Sequence, residues 1–126
     1  MSATFVPSKL VLCVEDNQTE QRLLKEILTI NGFEVLQART ATKGLQLFRH
    51  NPVVLVIIDQ QLGRKQVTGA QLAGKIKGVN PKVPVVLRSG YPPPTMRQTW
   101  DAFINKGETI ERFLALVEDL IRRSAA

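Results

Sequence analysis

The sequence is poor in the features that define several large classes of protein. It has a single cysteine, Cys13, so no disulfide framework is possible and a reducing compartment is expected. No apolar run approaches the ~20 residues of a membrane span, and residues 1–8 lack the charged and apolar blocks of a signal peptide. We therefore predict a cytoplasmic protein with a flexible lead-in over residues 1–8 and one folded domain over residues 9–123.

Acidic residues are missing from a long central segment. From Gln60 to Trp100 the chain has seven basic residues and no acid, and its formal net charge is +6. The basic residues are Arg64, Lys65, Lys75, Lys77, Lys82, Arg88 and Arg97. Such a segment can bind nucleic acid or an acidic protein. Because its charges are scattered and only one aromatic residue, Tyr91, is interleaved with them, a solvated face without a dedicated partner is the simpler interpretation.

Short apolar runs alternate with helical patterns along the whole chain. The runs are typical of buried strands and cover residues 10–14, 33–37, 53–58, 83–88 and 102–105. The predicted helix caps are Asn17 (in a capping box with Glu20), Thr40 or Thr42, Thr68 and Thr109. Because strands and helices alternate, we predict an α/β fold with a five-stranded parallel sheet. The prolines at residues 92–94 leave room for only a short or missing fourth helix.

Polar residues follow four of these strands at the carboxyl end. They are Glu15 and Asp16 after the first strand, Asp59 after the third, Ser89 after the fourth and Lys106 after the fifth. In an open α/β sheet, ligands bind outside the carboxyl ends of the strands, so we expect these side chains to converge on one crevice. Three acids, a hydroxyl and a lysine suit a divalent cation together with a phosphoryl group.

The motifs that contain these residues resemble the receiver domain of two-component response regulators, over about Lys9 to Arg122. The matching motifs are Val14-Glu15-Asp16-Asn17, Ile57-Ile58-Asp59 with Leu62, Gly69, Leu87-Arg88-Ser89-Gly90-Tyr91 and Phe103-Ile104-Asn105-Lys106. The resemblance implies a flavodoxin-like (βα)5 fold, doubly wound, with strand order 2-1-3-4-5. The Ser-Gly-Tyr motif at residues 89–91 and the shortened fourth connection most resemble a subgroup with a Thr/Ser-Gly-Tyr motif and a reduced fourth helix.

Two local departures from the family pattern are visible. The loop at residues 63–67 is longer than usual, and Gly107 stands where the family usually has a proline preceded by a cis bond. A cis bond before a residue other than proline costs roughly 2.5–4 kcal/mol, so the geometry of the Lys106–Gly107 bond is left open.

The resemblance also implies the chemistry of the crevice. Asp59 would accept a phosphoryl group from a histidine kinase or a histidine phosphotransfer protein, forming an acyl phosphate. Asp16 and Asp59 would bind Mg²⁺ (or Mn²⁺) directly. Glu15 would act through water, and the main-chain carbonyl of Gln61 would complete the ligands. An acid pair that favours a helix N-terminus is the simpler interpretation of Glu15 and Asp16, and both roles can coexist.

A hydroxyl, a lysine and an aromatic ring would respond to the phosphoryl group. Ser89 and Lys106 would contact its oxygens, and Lys106 can pair with Asp59 before phosphorylation. Movement of Ser89 would leave space for Phe103 to turn inward as a switch. An ordinary core phenylalanine is the alternative interpretation of Phe103.

Gln61 and Tyr91 bear on the lifetime of the acyl phosphate. They lie two residues beyond Asp59 and Ser89, where by resemblance they would flank the path of attacking water. Gln61 has no charge to act as a base and Tyr91 can cover the path, so slow hydrolysis is expected. Phosphohydrolases that use such an aspartate commonly carry a second Asp at the position of Gln61, so a dedicated enzyme is not expected.

We therefore interpret the chain as a phosphoacceptor receiver that switches a protein-interaction surface, with an acidic protein as the expected downstream partner. The alternatives are a pseudo-receiver that binds partners without phosphorylation and, from charge alone, a nucleic-acid-binding module. Of the remaining residues, Trp100 and Cys13 are expected in packing, and no phosphohistidine role is expected for His50.

Overall fold

The computed structural model describes residues 8–63, 67–95 and 98–125, and within them it has five parallel strands and four helices. The strands are β1 (Leu10–Val14), β2 (Glu34–Ala38), β3 (Leu55–Asp59), β4 (Val85–Ser89) and β5 (Ala102–Asn105). The helices are α1 (Gln18–Ile30), α2 (Ala41–His50), α3 (Gly69–Val79) and α4 (Ile110–Ala125). The strand order is β2-β1-β3-β4-β5, which confirms the predicted doubly wound, flavodoxin-like fold. Apart from Ser8, the expected lead-in lies outside the described residues.

The sheet is covered on both faces because alternate residues of each strand point to opposite sides. Leu12, Val56 and Leu87 pack toward α2 and α3, together with Trp100 from the connection before β5. On the other face, Cys13 and Ile57 pack toward α1 and α4. Burial raises the pKa of the Cys13 thiol to about 12, outweighing the opposing charge of Arg88. Both Trp100 and Cys13 therefore have the packing role that their sequence context predicts.

Two strands extend one residue further than the apolar pattern predicts. Asp59 and Ser89 are the last residues of β3 and β4 and do not follow them. The ladder continues because the N–H of Gln60 donates to the Arg88 carbonyl at 3.0 Å, and the N–H of Lys106 donates to the Ser89 carbonyl at 2.9 Å. Hydrogen bonds of the sheet thus fix the main chain that carries the polar side chains at this edge.

The predicted cap of α1 is only half correct. The Asn17 side chain accepts a hydrogen bond from the N–H of Glu20 at 3.0 Å, as an N-cap should. The N–H of Asn17, however, donates a hydrogen bond to the Glu15 carboxylate at 3.3 Å. The Glu20 carboxylate instead accepts a hydrogen bond from the Arg88 guanidinium. A stronger ionic partner therefore replaces the reciprocal bond of a capping box.

The connection between β4 and β5 contains no helix in its described residues, 90–95 and 98–101. The Thr99 hydroxyl donates to the Ala70 carbonyl at 2.6 Å, and the Asp101 carboxylate accepts the N–H of Val85 at 2.7 Å. The described part thus has the non-helical course that the prolines predict. All peptide bonds of the described residues are trans, including Lys106–Gly107. No described helix is long and apolar enough to cross a lipid bilayer.

Candidate functional site

The carboxyl ends of four neighbouring strands bring the predicted polar residues together. Glu15 and Asp16 follow β1, Asp59 ends β3, Ser89 ends β4 and Lys106 follows β5. Glu15, Asp59 and Ser89 are only 1%, 4% and 0% exposed. Polar groups withdrawn from water to this extent interact strongly with one another and with any ligand that reaches them.

The three acids form a compact cluster. One carboxylate oxygen from each of Glu15, Asp16 and Asp59 lies within 4.8 Å of the other two. Carboxylates this close repel one another, so a divalent cation between them would relieve the repulsion. Oxygen donors alone suit a hard cation such as Mg²⁺, and the half-exposed Asp16 leaves the cluster open to solvent. The donor set therefore fits the expected metal.

Gln61 lies beside this cluster. Its N–H donates to Asp59 Oδ1 at 3.2 Å, which fixes one carboxylate oxygen of Asp59. Gln61 and Asp16 also line the same open groove at the rim of the sheet. The side chain of Gln61 is exposed, so its main chain is the part of this residue that touches the acids.

Lys106 is placed between two of the acids. Its Nζ lies 3.0 Å from Glu15 Oε1 and 3.5 Å from Asp59 Oδ2. The predicted pair with Asp59 is therefore present, but Glu15 is the closer of the two partners. The ammonium thus compensates part of the negative charge of both buried carboxylates.

The pKa values reflect this mutual dependence. Burial raises the pKa of Glu15, its hydrogen bond with Asp59 raises it further, and Lys106 opposes both. Burial alone would lower the pKa of Lys106, but the hydrogen bond with Glu15 and the charges of Asp59, Glu15 and Glu20 raise it. The lysine is thus held in its charged form at the site.

Ser89 and Phe103 lie on the same face of the sheet. Ser89 Oγ accepts a hydrogen bond from the N–H of Tyr91 at 3.1 Å, which leaves its O–H free to donate to another group. Phe103 pairs in register with Leu87, two residues before Ser89, and packs against the core on the α2–α3 side. The Phe103 ring is partly buried, and the Tyr91 side chain is 65% exposed beside the site.

Arg88 is the site residue that sequence reasoning misplaced. Its sequence context predicts a place on the basic surface between Gln60 and Trp100, but it is only 6% exposed. Its Nη1 lies 2.7 Å from Glu20 Oε2 and 3.9 Å from Glu15 Oε1. The sequence did contain an indication, because Arg88 interrupts an apolar strand at a position two residues from the buried Val86.

Comparisons with known proteins agree with this geometry. A family model described as the response regulator receiver domain matches residues 11–118. The transcriptional regulatory protein KdpE of Mycobacterium tuberculosis is 28% identical over 121 residues, which is 93% of this chain and 53% of KdpE. The polar-differentiation response regulator DivK of Brucella abortus is 24% identical over 121 residues, covering 90% of this chain and 97% of DivK.

A solved structure provides the corresponding comparison of folds. The receiver domain protein from Methanospirillum hungatei superposes with a TM-score of 0.85 at 24% identity, covering 94% of this chain and 97% of that one. At this identity the likeness concerns the fold alone. The chain spans about half the length of KdpE, so the activity of that longer protein does not transfer to it.

Proposed function

Because this chain belongs to the response regulator receiver domain family, we propose that it accepts a phosphoryl group on Asp59 and thereby switches a protein-interaction surface. The observation that carries the proposal is the cluster of Glu15, Asp16 and Asp59 with Lys106 in contact with two of them. A nucleophilic carboxylate, two further acids and a fixed cation are the groups that phosphoryl transfer requires.

The proposed transfer is a displacement at phosphorus. A carboxylate oxygen of Asp59 forms the new bond to phosphorus while the bond from phosphorus to the donor breaks. The donor is a phosphohistidine or, in vitro, acetyl phosphate, and the histidine imidazole or the acetate leaves with the bonding electron pair. The buried position of Asp59 at the end of β3 limits the directions from which a donor can approach.

Asp16, Asp59 and the Gln61 carbonyl would hold Mg²⁺ (or Mn²⁺), with Glu15 acting through water. A bound Mg²⁺ would neutralise the negative charge that gathers on the transferred group. The contact between the Gln61 N–H and Asp59 supports this arrangement, because it places the Gln61 main chain beside the acids.

After transfer, Lys106 and Ser89 would contact the new phosphoryl oxygens. Lys106 would exchange its contact with Glu15 for one with the phosphoryl group, which carries more negative charge. The Ser89 O–H would donate to a second oxygen, and its movement would give Phe103 room to turn inward. The switch is thus proposed to run from Ser89 to Phe103 on the same face of the sheet.

The proposed donor is a histidine kinase or a histidine phosphotransfer protein, and the proposed setting is the cytoplasm. We take residues 9–123 as the receiver. A pseudo-receiver that binds without phosphorylation is the main rival. The intact set of Asp16, Asp59 and Lys106 favours the phosphoacceptor.

Intact-mass spectrometry tests the proposal directly. Incubation with acetyl phosphate and Mg²⁺ is expected to add one phosphoryl group, and EDTA should reduce this labelling sharply. The Asp59→Ala variant should gain nothing, whereas Asp119→Asn, which changes an acid on α4 far along the chain, should label as wild type does. Equal labelling of wild type and Asp59→Ala would contradict the phosphoacceptor role of Asp59, and no labelling of either protein would favour the pseudo-receiver.

A further inference from the structure

Arg88 lies behind the acidic cluster and has two carboxylate partners. We propose that the charge of Arg88, which faces Glu15 and is balanced by Glu20, sets the affinity of the cluster for a divalent cation. This inference rests on the proposed metal site, and it assigns a new function to a pair of residues outside the family's matched site positions.

The packing of Arg88 explains why it needs these partners. Its side chain emerges from β4 on the face covered by α1 and α4, two residues beyond the buried Val86. A buried guanidinium without a partner is strongly unfavourable, because it loses its hydration. Glu20, in the first turn of α1, supplies the close contact at 2.7 Å. The pair thus ties α1 to β4, across 68 positions of sequence.

The same guanidinium lies close to the proposed metal ligands. Its Nη1 is 3.9 Å from Glu15 Oε1, the oxygen that also accepts a hydrogen bond from Lys106 Nζ. Glu15 is therefore held from one side by Lys106 and faced from another by Arg88. A fixed positive charge at this distance lowers the attraction of the cluster for a cation, and the negative charge of Glu20 reduces that effect.

Opposite effects of the two residues follow from this arrangement. Removal of the Arg88 charge should strengthen cation binding. Removal of the Glu20 charge should weaken it, because Arg88 is then uncompensated and free to close the gap to Glu15. A purely structural role would act differently, since loss of either partner would disturb the cluster and weaken binding in both cases.

Binding of Mn²⁺, measured by electron paramagnetic resonance of the free ion, separates these outcomes. Compared with wild type at low ionic strength, Arg88→Met should bind Mn²⁺ about fivefold more tightly and Glu20→Gln about threefold more weakly. Arg88→Lys keeps the charge and should remain near wild type. Glu26→Gln on the exposed face of α1 and Lys82→Met in an exposed turn are matched controls that should leave affinity unchanged.

A second measurement needs no cation. In EDTA, thermal unfolding of Arg88→Met, Glu20→Gln and the double variant should be non-additive, because each single variant leaves the other charge without its close partner. Additive changes would show that the pair is not formed in solution and would overturn the inference.

The outcomes also distinguish this inference from the proposed function. If wild type binds Mn²⁺ and the two variants shift affinity in the same direction or not at all, the role of Arg88 is wrong and the metal site stands. If wild type binds no Mn²⁺, the proposed metal site itself fails, and the role of Arg88 fails with it.

Discussion

At the scale of single residues, Lys106 shows how the site manages its charge. The ammonium contacts both Glu15 and Asp59, so it neutralises part of the charge of the acidic cluster. A phosphoryl group on Asp59 carries roughly −1.5 to −2 charges in place of the single charge of the carboxylate, which makes it a stronger partner than either carboxylate. We therefore predict that this one side chain both stabilises the acidic cluster and contacts the phosphorylated product.

Tyr91 carries a prediction about hydrolysis. Its N–H donates a hydrogen bond to Ser89 Oγ at 3.1 Å, and its side chain is 65% exposed. The ring can therefore lie over the proposed path of water to the acyl phosphate. The Tyr91→Ala variant should therefore lose its phosphoryl group several-fold faster than wild type. Loss of the added mass over time, after removal of acetyl phosphate, measures this rate.

The control for Tyr91 keeps the ring and removes only the hydroxyl. Tyr91→Phe should hydrolyse at the wild-type rate, because shielding depends on the apolar ring and not on the phenol. If Tyr91→Ala is as slow as wild type, or slower, the ring does not shield the phosphoryl group and the limited reactivity must come from Gln61.

At the scale of elements, the first residue of α3 packs closely against the main chain of β3 at Asp59. A Cβ added at Gly69 would overlap the main-chain oxygen of Asp59 and would lie 2.8 Å from Gln60 Cα. Gly69→Ala therefore forces α3 and β3 apart, and we expect a loss of about 1–3 kcal/mol in the free energy of unfolding. Denaturant titration measures this loss, and phosphorylation with acetyl phosphate should slow in the same variant.

Gly78 provides the matched control in the same helix. A Cβ at Gly78 meets nothing within 4 Å, so Gly78→Ala changes only the backbone propensity. That change should raise the free energy of unfolding by about 0.5–1 kcal/mol. Similar destabilisation by both alanines would contradict the close approach of α3 to β3.

The elements also show which parts of the molecule follow from the sequence. Apolar runs with a polar residue at each carboxyl end predict β1, β3, β4 and β5, because both the pattern and the edge chemistry are local. The pair of Arg88 and Glu20 is not predictable in this way, since 68 positions separate its members. Its formation also depends on the face of β4 that α1 covers. The sequence instead favoured a capping role for Glu20 and a surface role for Arg88.

At the scale of the whole molecule, the segment from Gln60 to Trp100 exposes fewer of its described basic side chains than its sequence indicates. Arg88 is buried with Glu20, and Lys77 pairs with Asp101 and donates to main-chain carbonyls. Lys75 and Lys82 are exposed. The positions of Arg64, Lys65 and Arg97 lie outside the described residues. We expect the output surface to lie near β4 and β5, and among the described residues it keeps Lys82 but loses Arg88 as a steering charge.

This distribution leads to a prediction about partners. Nucleic-acid binding needs a continuous track of basic side chains and usually stacking aromatic residues. Two of the four described basic residues of the segment, Lys77 and Arg88, instead form ion pairs within the fold. We therefore expect an acidic protein as the downstream partner, with the exposed lysines steering encounter and the Ser89–Phe103 movement selecting the phosphorylated form. Steering of this kind weakens as salt shortens the Debye length from ~10 Å at 0.1 M to ~3 Å at 1 M.

Fluorescence anisotropy with labelled random-sequence DNA tests this prediction at the scale of the complete domain. At a physiological ionic strength of roughly 0.15 M, neither the unphosphorylated nor the phosphorylated protein should show saturable DNA binding, because only Lys75 and Lys82 are exposed among the four basic residues that the structure describes in this segment. Lys82→Met should slow association with an acidic partner protein at low salt and have little effect at high salt, where the charge is already screened. Tight DNA binding that falls steeply with salt and ignores phosphorylation would instead favour a nucleic-acid-binding module. In that case the basic residues would act independently of Asp59.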